Sequence, residues 1–151
     1  RLLDWTSDPM IATFFAVEDQ SAADAAIFVL DTNRMATSSF VVGDIFEGPV
    51  LRINPPLIDE RVISQKSVFT IQSYGPNHSF LPLDQRDLLA EAGGYETQLT
   101  KIIIPAEHKG QVMLDLLFFG VDASIVYPGL QGVGMRLQSL VRAVGYGNDI
   151  F

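Results

Sequence analysis

One segment near the start of the chain constrains the fold more than any other, because it predicts a helix that other structure must cover. Pro9 is favoured in a first helical turn, and Ser7 or Asp8 can accept hydrogen bonds from the N–H groups that this turn leaves unpaired. Apolar side chains then occupy most of the helix surface, namely Met10, Ile11, Ala12, Phe14, Phe15, Ala16 and Val17. Such a helix is buried, so we expect residues 7–18 inside a packed domain.

Short apolar runs alternate with helical patterns along the rest of the chain. Runs rich in β-branched and aromatic residues predict four strands, at 25–30, 50–53, 68–72 and 99–104, and the first is typical of an interior strand. Periodic segments predict further helices at 85–92, 106–119 and 130–143. We therefore expect an α+β fold in which a mixed or antiparallel sheet packs against helices, with irregular connections at 32–57 and 75–83.

The chain has enough apolar residues to bury a core. It has 151 residues, of which 48% are hydrophobic, and a chain of this length folds most simply as one domain. We expect one contiguous core between the sheet and its helices, formed by Phe14, Phe15, Ile27, Val29, Phe69, Ile71, Ile102, Ile104, Leu116 and Phe119.

The charge balance disfavours nucleic acid bound in a groove. The chain carries a net charge of −8 and its ten Lys and Arg residues are scattered, whereas that mode of binding needs a basic stripe. No apolar run approaches the length of a membrane span, so we expect no contact with a membrane. The lack of Cys excludes disulfides, thiolate zinc sites and cysteine nucleophiles, and it fits a cytoplasmic location.

The sequence lacks the motifs of several common sites. Neither His78 nor His108 has a second His or a Cys at ligand spacing, so we expect no metal site. There is no phosphate-binding loop of the G-x-x-x-x-G-K-[ST] type and no G-x-S-x-G nucleophile elbow. Gly129, Gly132 and Gly134 do not follow a strand in the order of a dinucleotide-binding loop, and close helix packing explains them better.

Four stretches occur in an order and spacing that resemble a known family. They are RLLDWTSDPMIATFFAVE, DAAIFVLD, ERVISQKSVFTI and LTKIIIPAEHKGQVMLDLLFFGVDASIVYPGLQGVG. Together they resemble the FRG domain family, and the RLLDWT block is the most specific of them. The family's middle pattern matches Arg61, Gln65 and Phe69, and its closing segment matches Tyr127, Pro128, Leu130 and Gly132. Ser67 stands where the family usually has Gly.

The resemblance implies that residues 1–151 are an FRG domain without its N-terminal strand. The aromatic-Arg-Gly segment that names the family lies upstream of RLLDWT and is not in this sequence. We expect the RLLDWT strand to need a neighbour, because an unpaired inner strand exposes backbone groups and apolar surface. That neighbour would be the upstream segment of the same domain or another chain.

The FRG layout is similar to that of ADP-ribosyltransferases, which implies NAD as the cofactor. The implied ligand-binding residues are Arg1, Asp4, Thr6, Ser7 and Arg61, and the implied catalytic residues are Glu60 and Gln65. The implied function is transfer of ADP-ribose from NAD to a macromolecular target. The alternative is a non-enzymatic nucleotide-sensing or protein-interaction module within a larger bacterial protein. A helix N-terminus beside hydroxyl groups is also physically suited to a ribose or a phosphate.

Several of residues 1–8 also have purely structural interpretations. Thr6, Ser7 and Asp8 can form a helix cap. Arg1 and Asp4 can form an ion pair, and Trp5 can lie in the core. Arg61 and Gln65 are four positions apart, so on a short helix they would share a face. From a shared face, the two side chains could form hydrogen bonds either with a ligand or with a backbone turn, and the spacing suits both equally well.

Overall fold

The computed structural model describes residues 2–19, 21–31, 50–72, 74, 80, 82–85 and 99–147. These ranges contain β1 (Leu2–Thr6), α1 (Pro9–Val17), β2 (Ala25–Leu30), β3 (Leu51–Ile53), α2 (Glu60–Ser64), β4 (Ser67–Ile71), β5 (Leu99–Ile104), α3 (Lys109–Phe118), α4 (Ala123–Val126) and α5 (Leu130–Gly147). All but the first residue of the predicted helix at 85–92, and most of the predicted connections at 32–57 and 75–83, lie outside the described residues. No helix in the described ranges combines the length and the apolar character that crossing a membrane requires.

The strands form two antiparallel sheets. The first has the order β1-β4-β3, with Leu2 and Leu51 both opposite Ile71 on the central strand. The second pairs β2 with β5 along their whole lengths, from Ala25 opposite Ile104 onwards. The α+β prediction, with antiparallel strands packed against helices, is therefore confirmed. The strands are divided between two sheets, where the sequence suggested one.

Two strands have the bounds that the sequence predicted. β2 and β5 are uninterrupted runs of residues that favour strands, and Pro105 ends β5 because proline cannot donate to a strand ladder. The helix predicted at 106–119 begins later than expected. A 3₁₀ turn occupies Ala106–His108, and the α-helix runs over Lys109–Phe118, since 3₁₀ turns are frequent at the N-termini of α-helices.

Helix α1 begins at the cap that the sequence indicates. Asp8 has an extended backbone (φ −108°, ψ 116°), and its side chain accepts hydrogen bonds from the N–H groups of Met10 and Ile11. The helix contacts β1, β2 and α3, and Ile11, Phe14 and Val17 are buried. This apolar helix is therefore covered on several sides, as its sequence requires.

The buried apolar residues of the described part form two clusters. The first joins α1 to α3 and α4 and contains Ile11, Phe14, Val17, Leu116, Ala123 and Val126, with Ile104 packed against it. The second contains Val50 and Leu83, with Leu3, Trp5, Leu30 and Leu99 packed against it. The expectation of one contiguous core is thus wrong for the residues that the structure describes.

Several residues expected in the core are exposed. Val29 and Ile102 are each 48% exposed, and Phe15 is 37% exposed. Among the described residues β2 and β5 pair only with each other. Phe28 and Val29, on opposite faces of β2, are both largely exposed, so the described part of the chain does not show the interior strand that the sequence predicts at 25–30. Phe119 is 75% exposed because it follows the last residue of α3, where the chain turns through Gly120 in a left-handed conformation (φ 78°).

Strand β1 lies at the edge of its sheet. It pairs with β4 on one side, and no other strand in the described part of the chain pairs with it. Trp5 is half-buried, and its Nε1–H donates a hydrogen bond to Thr70 Oγ1 at 2.9 Å. The predicted pairing of β1 with a further segment stays a prediction.

Candidate functional site

A cleft between the two sheets brings together polar residues that are distant in the sequence. β1 and the start of β4 form one wall, β2 and the start of β5 form another, and α1 forms a third. The cleft has a volume of about 630 Å³, which lies within the roughly 300–1,000 Å³ of small-molecule sites. The polar side chains among its mostly apolar lining residues are those of Asp4, Thr6, Gln65, Ser67 and Asp84.

Aromatic rings come to this cleft from each of the three walls. Trp5 is held by its hydrogen bond to the buried Thr70. Phe15 projects from α1 and packs edge-on against the ring of Tyr127, with ring centroids 6.1 Å apart. Phe28 lies on β2, and Lys101 Nζ is 5.6 Å from its ring centroid. The cleft therefore offers several apolar faces to a flat ligand.

Asp4 places a carboxyl group at the cleft from the middle of the edge strand β1, opposite Phe69 of β4. Asp4 is exposed to solvent overall, but partial burial of its carboxyl group raises the pKa above its usual value, and a hydrogen bond with the Trp5 backbone opposes that shift in part. A carboxyl group with a perturbed pKa in a cleft is a physical marker of a functional site. Asp4 is thus the sequence-predicted candidate with the strongest electrostatic support.

Gln65 reaches the cleft from the C-terminal end of α2, where it caps the helix. Its Nε2–H donates a hydrogen bond to the backbone oxygen of Val126 at 3.2 Å, and the hydroxyl group of Ser64 donates to the same oxygen at 3.3 Å. A backbone carbonyl can only accept, so this contact fixes which end of the Gln65 amide is the nitrogen. The carbonyl oxygen Oε1 is the acceptor that Gln65 has left for a ligand.

Of Thr6, Ser7 and Asp8, which the structural interpretation placed in a helix cap, Asp8 is the N-cap residue of α1. Thr6 Oγ1 accepts a hydrogen bond from the Asp8 N–H at 3.0 Å. The backbone N–H and the hydroxyl group of Ser7 donate to the backbone oxygen of Lys66, at 3.1 and 3.3 Å. Thr6 also lines the cleft, whereas Ser7 does not. The structure therefore ties Ser7 to the turn between α2 and β4.

Lys66 in that turn has a backbone conformation that is unusual for its residue type. Its φ is 48°, in the left-handed region that favours glycine. Its ammonium group forms an ion pair with Asp8 Oδ2 at 2.6 Å, and this contact lowers the pKa of Asp8 below its usual value. The start of α1 and the end of α2 are thus fastened to each other directly beside the cleft.

Arg61 and Gln65 hold the segment that joins α4 to α5. Arg61 Nη2 donates to Gln131 Oε1 at 2.9 Å, while Gln65 binds the backbone of Val126. Gln65 thus holds a backbone oxygen at the end of α4, whereas Arg61 holds a side chain at the start of α5. Arg61 does not line the cleft, so the expected convergence with Thr6 is seen for Gln65 only.

The remaining candidates lie elsewhere. Glu60 is exposed at the first position of α2 and is not among the residues that line the cleft. Its separation from the cleft follows from helix geometry, because residues five positions apart on a helix point in different directions. Arg1, and with it the suggested ion pair between Arg1 and Asp4, lies outside the described residues.

A polar contact that the sequence did not indicate also holds the α4–α5 connection. The hydroxyl group of Tyr127 lies 2.7 Å from Glu18 Oε2 and 3.0 Å from Oε1, and it donates to this carboxylate. Burial raises the pKa of Tyr127 above its usual value, and the hydrogen bond and charge of Glu18 raise it further. The contact joins the end of α1 to the α4–α5 connection across 109 positions of sequence.

Sequence reasoning missed Phe28 and Asp84 as cleft residues, because each reaches the cleft only through tertiary packing. Phe28 is one member of an apolar run, and nothing in that run distinguishes a core position from a cleft position. Asp84 belongs to a 3₁₀ turn at Leu83–Gln85, directly before the helix that the sequence predicts at 85–92.

Comparison with known proteins gives no independent assignment: no family model matches the chain, and neither the curated proteins nor the solved structures contain a match. In the part of the chain that the structure describes, no group of three or more His, Asp or Glu side chains is placed to hold a metal ion.

Proposed function

We propose that this chain is an NAD-binding domain of the FRG type with an ADP-ribosyltransferase-like layout, and that it takes NAD in the cleft between the two sheets. The observation that carries the proposal is the composition of the cleft, in which aromatic side chains surround a few polar groups from β1, α2 and the turn at Leu83–Gln85. That combination is typical of cofactor sites.

The lining residues fit the ring and ribose portions of NAD. Trp5, Phe15 and Phe28 offer rings on which a flat base can stack. Carboxylates commonly accept hydrogen bonds from ribose hydroxyl groups in dinucleotide sites, and Asp4 and Asp84 supply them here. No Lys or Arg is among the described lining residues, so these residues would hold the ring and ribose portions of NAD and supply no charge partner for its pyrophosphate.

The residues of the chain would bind and orient NAD, which would supply the ADP-ribosyl group for transfer to a macromolecular target as the bond to nicotinamide breaks and nicotinamide leaves. Among the described residues, the carboxyl groups at the cleft are those of Asp4 and Asp84. We therefore assign to Asp4 the catalytic role that the resemblance implied for Glu60, because Asp4 lines the cleft and Glu60 does not. We further propose a cytoplasmic location in a larger bacterial protein, which suits a domain that uses NAD and has no Cys.

The alternative function is a non-enzymatic nucleotide-sensing or protein-interaction module. The observation in its favour is that Arg61 and Gln65 are both engaged with the α4–α5 connection. A ligand that draws on Gln65 would change how this connection is held, and such coupling between a cleft and a remote segment is what a sensor requires.

Two measurements test the proposal. Isothermal titration calorimetry of the chain with NAD should show binding that Asp4→Ala weakens roughly tenfold, because the variant loses a charged hydrogen-bond acceptor. Glu107→Ala is the matched control, since Glu107 is exposed and does not line the cleft. Absence of NAD binding would contradict the proposal.

Mass spectrometry of a cell extract incubated with the chain and isotopically labelled NAD then separates the two functions. Transfer of the label to a protein supports the transferase. Binding of NAD without any labelled protein favours the sensing module.

A further inference from the structure

Helix α5 packs against α4 through one of its sides. Gly132 lies so close to the backbone of α4 that a Cβ atom there would clash, and Met135 packs against the first apolar cluster. Arg136 Nε forms an ion pair with Asp122 Oδ2 at 3.2 Å. These residues are three or four positions apart, so they mark one face of the helix. The opposite side of α5 faces away from α4.

That opposite side is apolar and exposed. Its apolar residues also recur three or four positions apart, which places them on a single helix face, and between 46% and 90% of each residue is accessible to solvent. We call this the outer face of α5, and it consists of Leu130, Val133, Leu137 and Val141. Single exposed apolar residues are normal on a protein surface, whereas a contiguous apolar patch marks an interaction site.

Exposed apolar residues continue onto the elements that hold the start of α5. Ile125 lies on α4, while Leu57 and Ile58 precede α2, and Arg61 of α2 binds Gln131 in the first turn of α5. An apolar residue exposed to this degree leaves on the order of 100 Å² uncovered. Together with the outer face, these residues would approach the roughly 800 Å² that each partner buries in a stable interface.

The charges of the chain favour a second copy as the partner that covers this face. The chain has a net charge of −8, yet α5 contains no Asp or Glu. Among the described side chains of α5, the charged group is that of Arg136, and Asp122 already pairs with it. Two copies therefore meet through their outer faces without burying an unpaired charge and without bringing acidic groups together.

The residues beside the outer face offer nothing to a charged partner. In paired helices, charged residues next to the apolar stripe select the partner. Gly134 and Gln138 follow outer-face residues directly, and both are uncharged. A partner helix with charged flanks would find no opposite charge there, whereas an identical face matches this one in both apolar character and neutrality.

We propose that the outer face of α5 is a homodimer interface, in which two copies of the chain pair by placing the same face of each on the other. A surface that pairs with its own copy about a two-fold axis closes at two chains. The outer-face residues are not among the described residues that line the cleft, so the pairing leaves both clefts open and does not depend on what they bind.

Sedimentation velocity of the chain across roughly 1–100 μM tests this inference. We expect the sedimentation coefficient to rise with concentration from that of one chain to that of a discrete dimer. The thermal midpoint should rise with it, because association stabilises the folded state by mass action. A chain that stays monomeric would overturn the inference, whether or not it binds lipid vesicles or another protein. A continuous series of larger species would overturn it as well, since the proposed pair closes at two.

A charge placed on the outer face locates the interface. Leu137→Glu should weaken dimerisation at least roughly tenfold, because each copy then brings a carboxylate to an apolar contact. Gln138→Glu is the matched control. It adds the same charge at the next position of the same helix, on an exposed residue outside the outer face, so the dissociation constant should change less than about threefold.

A second variant separates loss of the interface from loss of the fold. Leu130 is 90% exposed, so Leu130→Glu removes little packing within one chain, and its far-ultraviolet circular dichroism should match that of the parent. Weaker dimerisation of both Leu130→Glu and Leu137→Glu, with the control unchanged, supports the inference. Dimerisation that neither variant weakens would place the contact on another surface and overturn it.

Discussion

At the scale of single residues, Lys66 is the clearest case in which a local backbone requirement and a side-chain contact compete. Its positive φ suits glycine, while its ammonium group pairs with Asp8. We expect Lys66→Gly to have a free energy of unfolding about 1 kcal/mol higher than Lys66→Ala, since both lose the ion pair and only glycine adopts this conformation without strain. Urea denaturation of the two variants measures the difference. Equal stabilities would show that the turn relaxes to a negative φ.

Acid should change the contributions of Asp8 and Asp4 to the free energy of unfolding in opposite directions. The pKa of Asp8 is lowered in the folded chain, so its contribution to stability is present above its unfolded pKa of about 3.9 and is lost as the pH falls through the folded value. The pKa of Asp4 is raised. The folded chain therefore binds a proton at Asp4 more readily than the unfolded chain does. The stabilisation that results is present at acidic pH and is lost as the pH rises through the folded pKa of Asp4.

Removing each carboxyl group tests these signs. Between neutral pH and pH ~3, Asp8→Asn should lose less stability than the parent chain, and asparagine still caps a helix well. Asp4→Asn should lose more stability than the parent, because the gain from protonating Asp4 is absent. Thermal midpoints measured across this range give both slopes. Identical slopes for the three proteins would contradict both assignments.

At the scale of elements, the contact between α4 and α5 depends on one glycine. A Cβ atom at Gly132 would clash with the backbone oxygen of Tyr127 and lie 2.5 Å from that of Ala123, whereas a Cβ at Gly134 would meet nothing within 4 Å. We expect Gly132→Ala to cost about 2 kcal/mol through overpacking. Gly134→Ala should stabilise the chain by roughly 0.5–1 kcal/mol through helix propensity.

Chemical denaturation of the two glycine variants, each in the same helix, provides the comparison. A neutral Gly132→Ala would mean that α4 and α5 can move apart at little cost. The sequence predicted helix packing for Gly129, Gly132 and Gly134 alike, and the structure confirms it for Gly132. Gly129 instead has a φ of 89°, so glycine is favoured there by the backbone conformation and not by helix packing.

The elements that the sequence predicts well are those whose signals are local. β2, β5 and the cap of α1 follow from contiguous residues, such as Asp8 and Pro105, whose effect on the backbone does not depend on distant contacts. The division into two sheets depends on pairing between strands that are far apart in sequence, such as β2 with β5. Local patterns do not specify that pairing, so the single core predicted for the chain was wrong in its described part.

The sequence predicted only part of the candidate site, because local patterns do not specify contacts between distant residues. Asp4, Thr6 and Gln65 were found because they belong to the patterned blocks, and the structure brings them to one cleft. Arg61 matches the same pattern, but its partner Gln131 lies 70 positions away and draws it to the α4–α5 connection. Phe28 and Asp84 carry no local signal that distinguishes a cleft residue from any other apolar or capping residue.

At the scale of the whole molecule, Tyr127 and Glu18 join α1 to the α4–α5 connection. Tyr127→Phe leaves the partly buried carboxylate without its donor, so we expect a loss of about 1–3 kcal/mol, and Glu18→Gln should cost less because an amide oxygen still accepts. A double-mutant cycle with Tyr127→Phe and Glu18→Gln should give a coupling energy of about 1 kcal/mol. No coupling would mean that the hydroxyl group is satisfied in another way.

The same pair should make the fold sensitive to strong base. The pKa of Tyr127 is raised in the folded chain, so its stabilising contribution is complete below its unfolded pKa of roughly 10 and is lost as the pH rises from that value through the folded one. The parent chain should therefore lose more stability than Tyr127→Phe between neutral pH and pH ~11. Comparing the parent with the variant cancels the titration of the other Tyr and Lys residues, which both proteins share. Parallel loss of stability in the two proteins would show that the hydroxyl group of Tyr127 titrates in the folded chain as it does in the unfolded chain, and that its contact with Glu18 does not stabilise the junction between α1 and the α4–α5 connection.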